Sequence, residues 1–301
     1  MNIGSKVKQL WFPLAAAVIV LLSVPAFYLY TTDRNSMDED PFRVLDDYLR
    51  ASYARDYNEA YRYVSSQDRS LKDAKTYVRE RGAFTGFTLD ISKKLAESIE
   101  ITAMDREITP DKANTKAKLK IPDANKLSDI VLDWDFERLN SLAASQQKAI
   151  LDKIEKLRGD GKLPMVEGEE VFQLVKETGG WKMFLDWASG VKVTFKASLP
   201  SSAPVEAKVV QTDVITKPGE LFNISLQIRN RGKEEVLARI GHLIQPSDVA
   251  DYLDLVECGF LLPVRIKPGA TEEFSSTYLL RGGLPENVRQ LAVTYEFRVE
   301  K

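Results

Sequence analysis

His242 and Cys258 are the only histidine and the only cysteine among 301 residues, and both fall in one stretch, HLIQPSDVADYLDLVECGFLLPVRIKPG. A thiolate is a nucleophile and a soft-metal ligand, and an imidazole is a metal ligand or a proton carrier. One cysteine forms no internal disulfide, and no Cys-rich or Cys/His-rich metal framework can be built from it. A soft-metal site is therefore sparse or shared between chains. A Ser-His-Asp device would have to use His242, and no nucleophile-elbow glycine pattern surrounds any serine. Gly159-Asp160-Gly161-Lys162 lacks the spacing of a phosphate loop and reads as a helix stop. Asn223-Ile224-Ser225 fits a glycosylation sequon but lies within a predicted strand. No catalytic residue is assigned.

The elements that hold these two residues come from the last third of the chain. VKVTFKASL, EAKVVQTDVI, LFNISLQIRN, EEVLARIGHLIQ, YLDLVECGFLL, TEEFSSTYLL and QLAVTYEFRV are seven β-rich runs, separated by turn chemistry at Lys217-Pro218-Gly219, Asn230-Arg231-Gly232 and Lys267-Pro268-Gly269. They predict an all-β immunoglobulin-like sandwich over 191–301. Ala188-Ser189-Gly190 marks its boundary.

Residues 41–187 read differently. Leu45, Tyr48, Leu49 and Tyr53 share one helical face after Pro41, and a second short helix follows Asp56. Ser70 and Asp73 form a capping pair for a third helix, with Leu71, Ala74, Tyr77 and Val78 inward. Strands are predicted around 86–106 and 113–121, a helix over Phe136 to Leu157, and a closing hairpin around Gly179-Gly180. Trp134, Trp181 and Trp187 read as core. This is an α+β domain.

From Leu10 to Thr32 the chain carries no charge, long enough for the ~20 residues of a membrane-crossing helix. Lys6 and Lys8 precede it and an acidic spacer, 33–40, follows, so 1–32 is read as a cytoplasmic tail and single transmembrane anchor with the remainder exported. Cleavage near Val24-Pro25-Ala26 is the alternative. The net charge of -2, with 29% charged residues, gives no sign of a nucleic-acid partner.

Two resemblances follow from these residues. The AYRYV opening and the Gly-Gly-Trp-Lys hairpin make 41–187 similar to the nuclear transport factor 2-like (cystatin-like) fold, which implies a cone around an apolar pocket. VKVTFKASLPSSAPVEAKVVQ, ITKPGELFNISLQIRNRG, IQPSDVADYLDLVECGFLLPVRIKPG and LAVTYEF make 191–298 resemble the copper-delivery assembly factor of cytochrome c oxidase. That family carries a Cys-Phe-Cys-Phe motif whose two thiolates bind Cu(I). Pro246, Tyr252, Pro268 and Gly269 stand where its pattern wants them, Cys258 takes the first cysteine position and Phe260 the second. The resemblance implies a bacterial inner-membrane protein with its folded domains in the periplasm, helping a respiratory complex of the cytochrome c oxidase type to assemble.

Three roles stay open for Cys258. It is a small buried hydrophobe; or it binds Cu(I) with its symmetry mate in a homodimer, with a nearby imidazole, for which His242 is the one candidate, or with a nearby thioether; or it forms a mixed disulfide with a partner. The alternative function is a copper-free scaffold or a small-ligand binder using the α+β cone.

Overall fold

The computed structural model describes residues 40–127 and 136–300. The expected transmembrane segment, the spacer up to residue 39 and Trp134 lie outside the described residues. Among the described residues no helix is long and apolar enough to cross a membrane.

The first helix, α1 (Pro41–Tyr53), starts where Asp40 accepts a hydrogen bond from the Phe42 N–H (2.9 Å) and Pro41, having no N–H, leaves no donor to satisfy. Leu45, Tyr48 and Ala51 bury its inner face. Three short helices follow: α2 (Tyr57–Ala60), α3 (Ser66–Leu71) and α4 (Ala74–Arg81). The expected capping pair is divided between two sites. Asp73 caps α4 through Thr76 N (2.7 Å), but Ser65 rather than Ser70 caps a helix, and Leu71 is 44% exposed rather than inward. The α3 and α4 axes are separate, so Leu71 at the end of one cannot share a face with Tyr77 in the other.

A larger correction concerns 86–106. Its first half is a helix, α5 (Gly86–Ala96), and only Glu100–Ile108 is a strand, β1. Phe87, Ile91 and Leu95 recur four apart and pack as one buried face against Leu139 and Ile154. Tertiary burial overrides the β-leaning local composition.

The strand β2 (Lys112–Pro122) follows, then α6 (Ala124–Leu127), α7 (Phe136–Asn140) and α8 (Ala144–Gly159). The single helix expected over 136–157 is broken at Ser141–Ala143. There Asn140 turns its Oδ1 to accept from Thr88 N (3.0 Å), and Gln146 Oε1 accepts from Ala143 N (3.1 Å). Strands β3 (Met165–Glu177) and β4 (Gly180–Met183) complete an antiparallel sheet in the order β1-β2-β3-β4. Trp181 and Trp187 are buried in its core, as expected.

The remaining strands are β5 (Val191–Ser198), β6 (Val205–Val209), β7 (Asp213–Thr216), β8 (Leu221–Asn230), β9 (Val236–Gln245), β10 (Leu253–Cys258), β11 (Val264–Ile266), β12 (Thr271–Leu280) and β13 (Gln290–Glu300). They form two sheets, β10-β12-β8-β6 and β11-β9-β13-β5-β7. Alternation supplies the core between them: Phe222, Ile224, Leu226 and Ile228 from one sheet face Val193, Phe195, Val293 and Tyr295 from the other. The run EAKVVQTDVI is two strands, because the chain changes sheets at 210–212. The three-residue β11 carries too little pattern to be read from sequence. Most pairs are antiparallel, but β13 runs parallel to β5 and lies between it and β9.

Polar contacts join the helical part to the sandwich. Buried Asp68 accepts from Leu185 N (2.8 Å), Trp187 N (2.9 Å) and Ser65 Oγ (2.7 Å), tying α3 to the segment that enters β5. Lys72, buried and 2.5 Å from Glu80, donates to the Ile215 carbonyl on β7 (2.9 Å) and lies 4.5 Å above the Trp187 ring. Arg81 pairs with Glu220 at 2.6 Å.

Candidate functional site

Cys258 is the last residue of β10, an edge strand hydrogen-bonded on one side to β12. A bulge between Leu255 and Glu257 changes the register, after which Cys258 stands opposite Ser276. Directly opposed residues share a face of the sheet, and Ser276 is fully buried on the inner face. The Cys258 side chain therefore turns toward the sandwich interior, where it is half-buried and packs against the core.

His242 approaches from the other sheet. On β9 it is paired with Tyr295 of β13, and its ring lies 5.3 Å from the Tyr295 ring at 69°. Its other face stacks on Phe260, with centroids 5.3 Å apart and planes 24° from parallel. Phe260 in turn meets Tyr295 edge-on at 5.5 Å. The hydroxyl of Tyr278 on β12 donates to that of Tyr295 at 3.1 Å, a hydrogen bond that bridges the two sheets.

Burial shapes the electrostatics of this cluster. Desolvation pushes the phenols of Tyr278 and Tyr295 well up, and Cys258 adds to the rise in both. Desolvation also lowers the His242 pKa below the ordinary value of 6.5, so its ring is neutral at pH 7. The buried Nε2 of His242 and the buried Oγ of Ser276 have no hydrogen-bond partner among the described residues.

The two residues singled out in the sequence thus contribute to one end of the same core from opposite sheets, joined through Phe260, Tyr278 and Tyr295. The position opposite Cys258, Ser276, was not anticipated. Period-two alternation puts Ser276, Tyr278 and Tyr295 on inward faces, but which inward residues meet depends on register and sheet pairing, which the alternation leaves free.

Two cysteines two positions apart on a strand would project to one side and chelate a soft ion. Here the second of those positions is Phe260, 2% exposed and committed to stacking on His242. Among the described residues no three His, Cys, Asp or Glu side chains gather as a metal site. The residues present do not form a two-thiolate chelate for copper within one chain.

The architecture is that of a two-sheet β domain with a single inward-turned thiol at the end of an edge strand. Residues 168–298, from within β3 to near the end of β13, are similar to the family model described as cytochrome c oxidase assembly protein CtaG/Cox11, and the match takes in nearly the whole of the two-sheet part. No curated protein matches the chain. Among solved structures, a PapD-like domain of human CEP192 is similar at 15% identity over 34% of this chain and 90% of that one, with a TM-score of 0.21. Trypsin-activated alpha-2-macroglobulin from Escherichia coli aligns at 9% identity over 66% of this chain and 17% of its own, with a TM-score of 0.23. The methylamine-reacted Salmonella alpha-2-macroglobulin aligns at 10% identity over 62% of this chain and 14% of its own, with a TM-score of 0.21.

Proposed function

We propose that this protein is an accessory factor in the assembly of a membrane respiratory complex of the cytochrome c oxidase type. The observation that carries the reading is the family match over 168–298. In this reading residues 10–32 anchor the chain once through a bacterial inner membrane, and both folded parts act in the periplasm. Its work is done by protein contact and it is not an enzyme.

Cu(I) is the cargo this reading assigns to Cys258. A single thiolate holds Cu(I) poorly, so binding needs a second soft donor, supplied by Cys258 of a second copy in a homodimer or by His242 after its ring is released from Phe260. A second reading, a copper-free scaffold or small-ligand binder, is favoured by the burial of Phe260 at the position where a second thiolate would be required.

Anaerobic Cu(I) titration of the full chain in detergent against a competing chelator, alongside Cys258→Ser and with mass followed by light scattering, separates the two. Competition by the native protein, lost in Cys258→Ser, is the expected result. An equal failure of both proteins to compete would remove copper and leave the scaffold.

A further inference from the structure

The helices α3 and α4 meet at a sharp reversal. Leu71 ends α3, Lys72 is extended, and Asp73 caps α4 by accepting from Thr76 N (2.7 Å). Spacing of three and four along α4 puts Thr76, Arg79 and Glu80 on one face. That face, the end of α3 and the segment joining β6 to β7 surround a cleft of about 400 Å³. It lies at the junction of the helical part and the sandwich and shares no residue with the Cys258 cluster.

The cleft is built on buried polar groups. Glu80 and Lys72, 1% and 5% exposed, both reach its lining and neutralise each other. Gln211 locks the floor: its Nε2 donates to Glu80 and to the Asp213 carbonyl (2.9 Å), and its Oε1 accepts from Arg79 Nε (2.8 Å). Each carboxylate of the lining is engaged, Glu80 by Lys72 and Gln211, Asp213 by Lys192 at 3.6 Å, and Asp73 by the start of α4. The Thr76 hydrogen bonds and, to a lesser degree, the Arg79 charge hold the Asp73 carboxyl below its ordinary range, without an ion pair between Asp73 and Arg79.

The two half-buried guanidiniums are not matched in this way. Arg69, in the last turn of α3, forms no hydrogen bond or ion pair among the described residues. Arg79 has one hydrogen bond there, from Nε to a neutral amide, and both its terminal nitrogens are left over. A guanidinium presents paired N–H groups that fit two oxygens of one anion at once. Beside the two arginines, Leu71, 44% exposed, and Ile215 supply an apolar wall.

We infer that this cleft binds a small molecule carrying an oxyanion group, a carboxylate or a phosphate, on a short aliphatic body. Arg69 and Arg79 take the oxygens in charge-assisted hydrogen bonds, and the aliphatic part lies on Leu71 and Ile215. The arginines belong to the helical part and Ile215 to the sandwich, so the ligand spans both and its binding strengthens their junction. The site rests neither on copper nor on the family match.

The test is isothermal titration calorimetry of the full-length protein in a non-ionic detergent, at one ionic strength set with sodium chloride, using butyrate and butyl phosphate as probes. Arg69→Gln and Arg79→Gln are titrated in parallel, with circular dichroism as the check on folding. Saturable binding of at least one probe to the native protein is expected, and the one that binds names the head group. Each folded variant should bind it about tenfold or more weakly. Arg69 makes no contact whose loss would disturb the fold, so Arg69→Gln decides the matter even if Arg79→Gln, which releases Gln211, does not fold. No saturable binding of either probe, or equal binding by the native protein and Arg69→Gln, would overturn the inference. So would butanol binding as tightly as the anions, because the apolar wall alone would then hold the ligand.

Discussion

At the scale of single residues, His242 is the most sensitive group in the sandwich. Its ring is stacked on Phe260, its Nε2 is buried without a partner, and burial lowers its pKa. Between the folded pKa and the unfolded value near 6.5, the unfolded chain binds a proton that the folded chain refuses, so stability falls as pH drops through that window. Denaturant unfolding from neutral pH to about pH 5 should show a steeper loss in the native protein than in His242→Phe, which keeps the stack and cannot titrate. Parallel slopes in the two proteins would show that His242 carries none of this dependence. Sequence alone picked out His242 and Cys258 by their rarity, and both reach the same core. Their neighbours Ser276, Tyr278 and Tyr295 were not legible as partners, because residues on four strands, β9, β10, β12 and β13, meet through a bulge and a register that local pattern does not encode.

At the scale of elements, the sequence told most where burial and periodicity agree. The strands β5, β8, β9, β12 and β13 alternate cleanly, and their runs could be read directly. The helix α5 could not, because its face is defined by what α7 and α8 lay against it. The turn that ends α4 shows how closely the elements fit. Gly82 sits at φ 68° with the Asn223 side chain of β8 against it, so that an added Cβ would lie 2.5 Å from Asn223 Nδ2. Gly82→Ala should cost about 1–2 kcal/mol from the left-handed backbone alone, with the contact adding to it. Adding Asn223→Ala should recover only the steric part, a partition that denaturant unfolding of the single and double variants would measure.

At the scale of the whole molecule, the buried Lys72–Glu80 pair connects the helical part to β7, with burial pulling both groups toward their neutral forms. Lys72→Met leaves Glu80 buried without its cation and should cost about 3–5 kcal/mol, whereas Lys72→Met with Glu80→Leu should recover most of the loss. Calorimetry should show the native protein melting in one transition and the single variant in two, as the helical part and the sandwich come apart. One transition in every variant would mean that other contacts, Asp68 and Arg81 among them, are enough to couple the halves. The sandwich contains a further constraint. Its five-stranded sheet is closed by β13, which fits between β5 and β9 although nearly a hundred residues separate it from β5 in the chain. During synthesis the first eight sandwich strands therefore emerge with a gap in their middle, and Tyr295, the partner of both His242 and Tyr278, arrives last. A chain cut before residue 290 would leave the inner faces of β5 and β9 without the strand that joins them, so the apolar core between the two sheets closes only once β13 is in place.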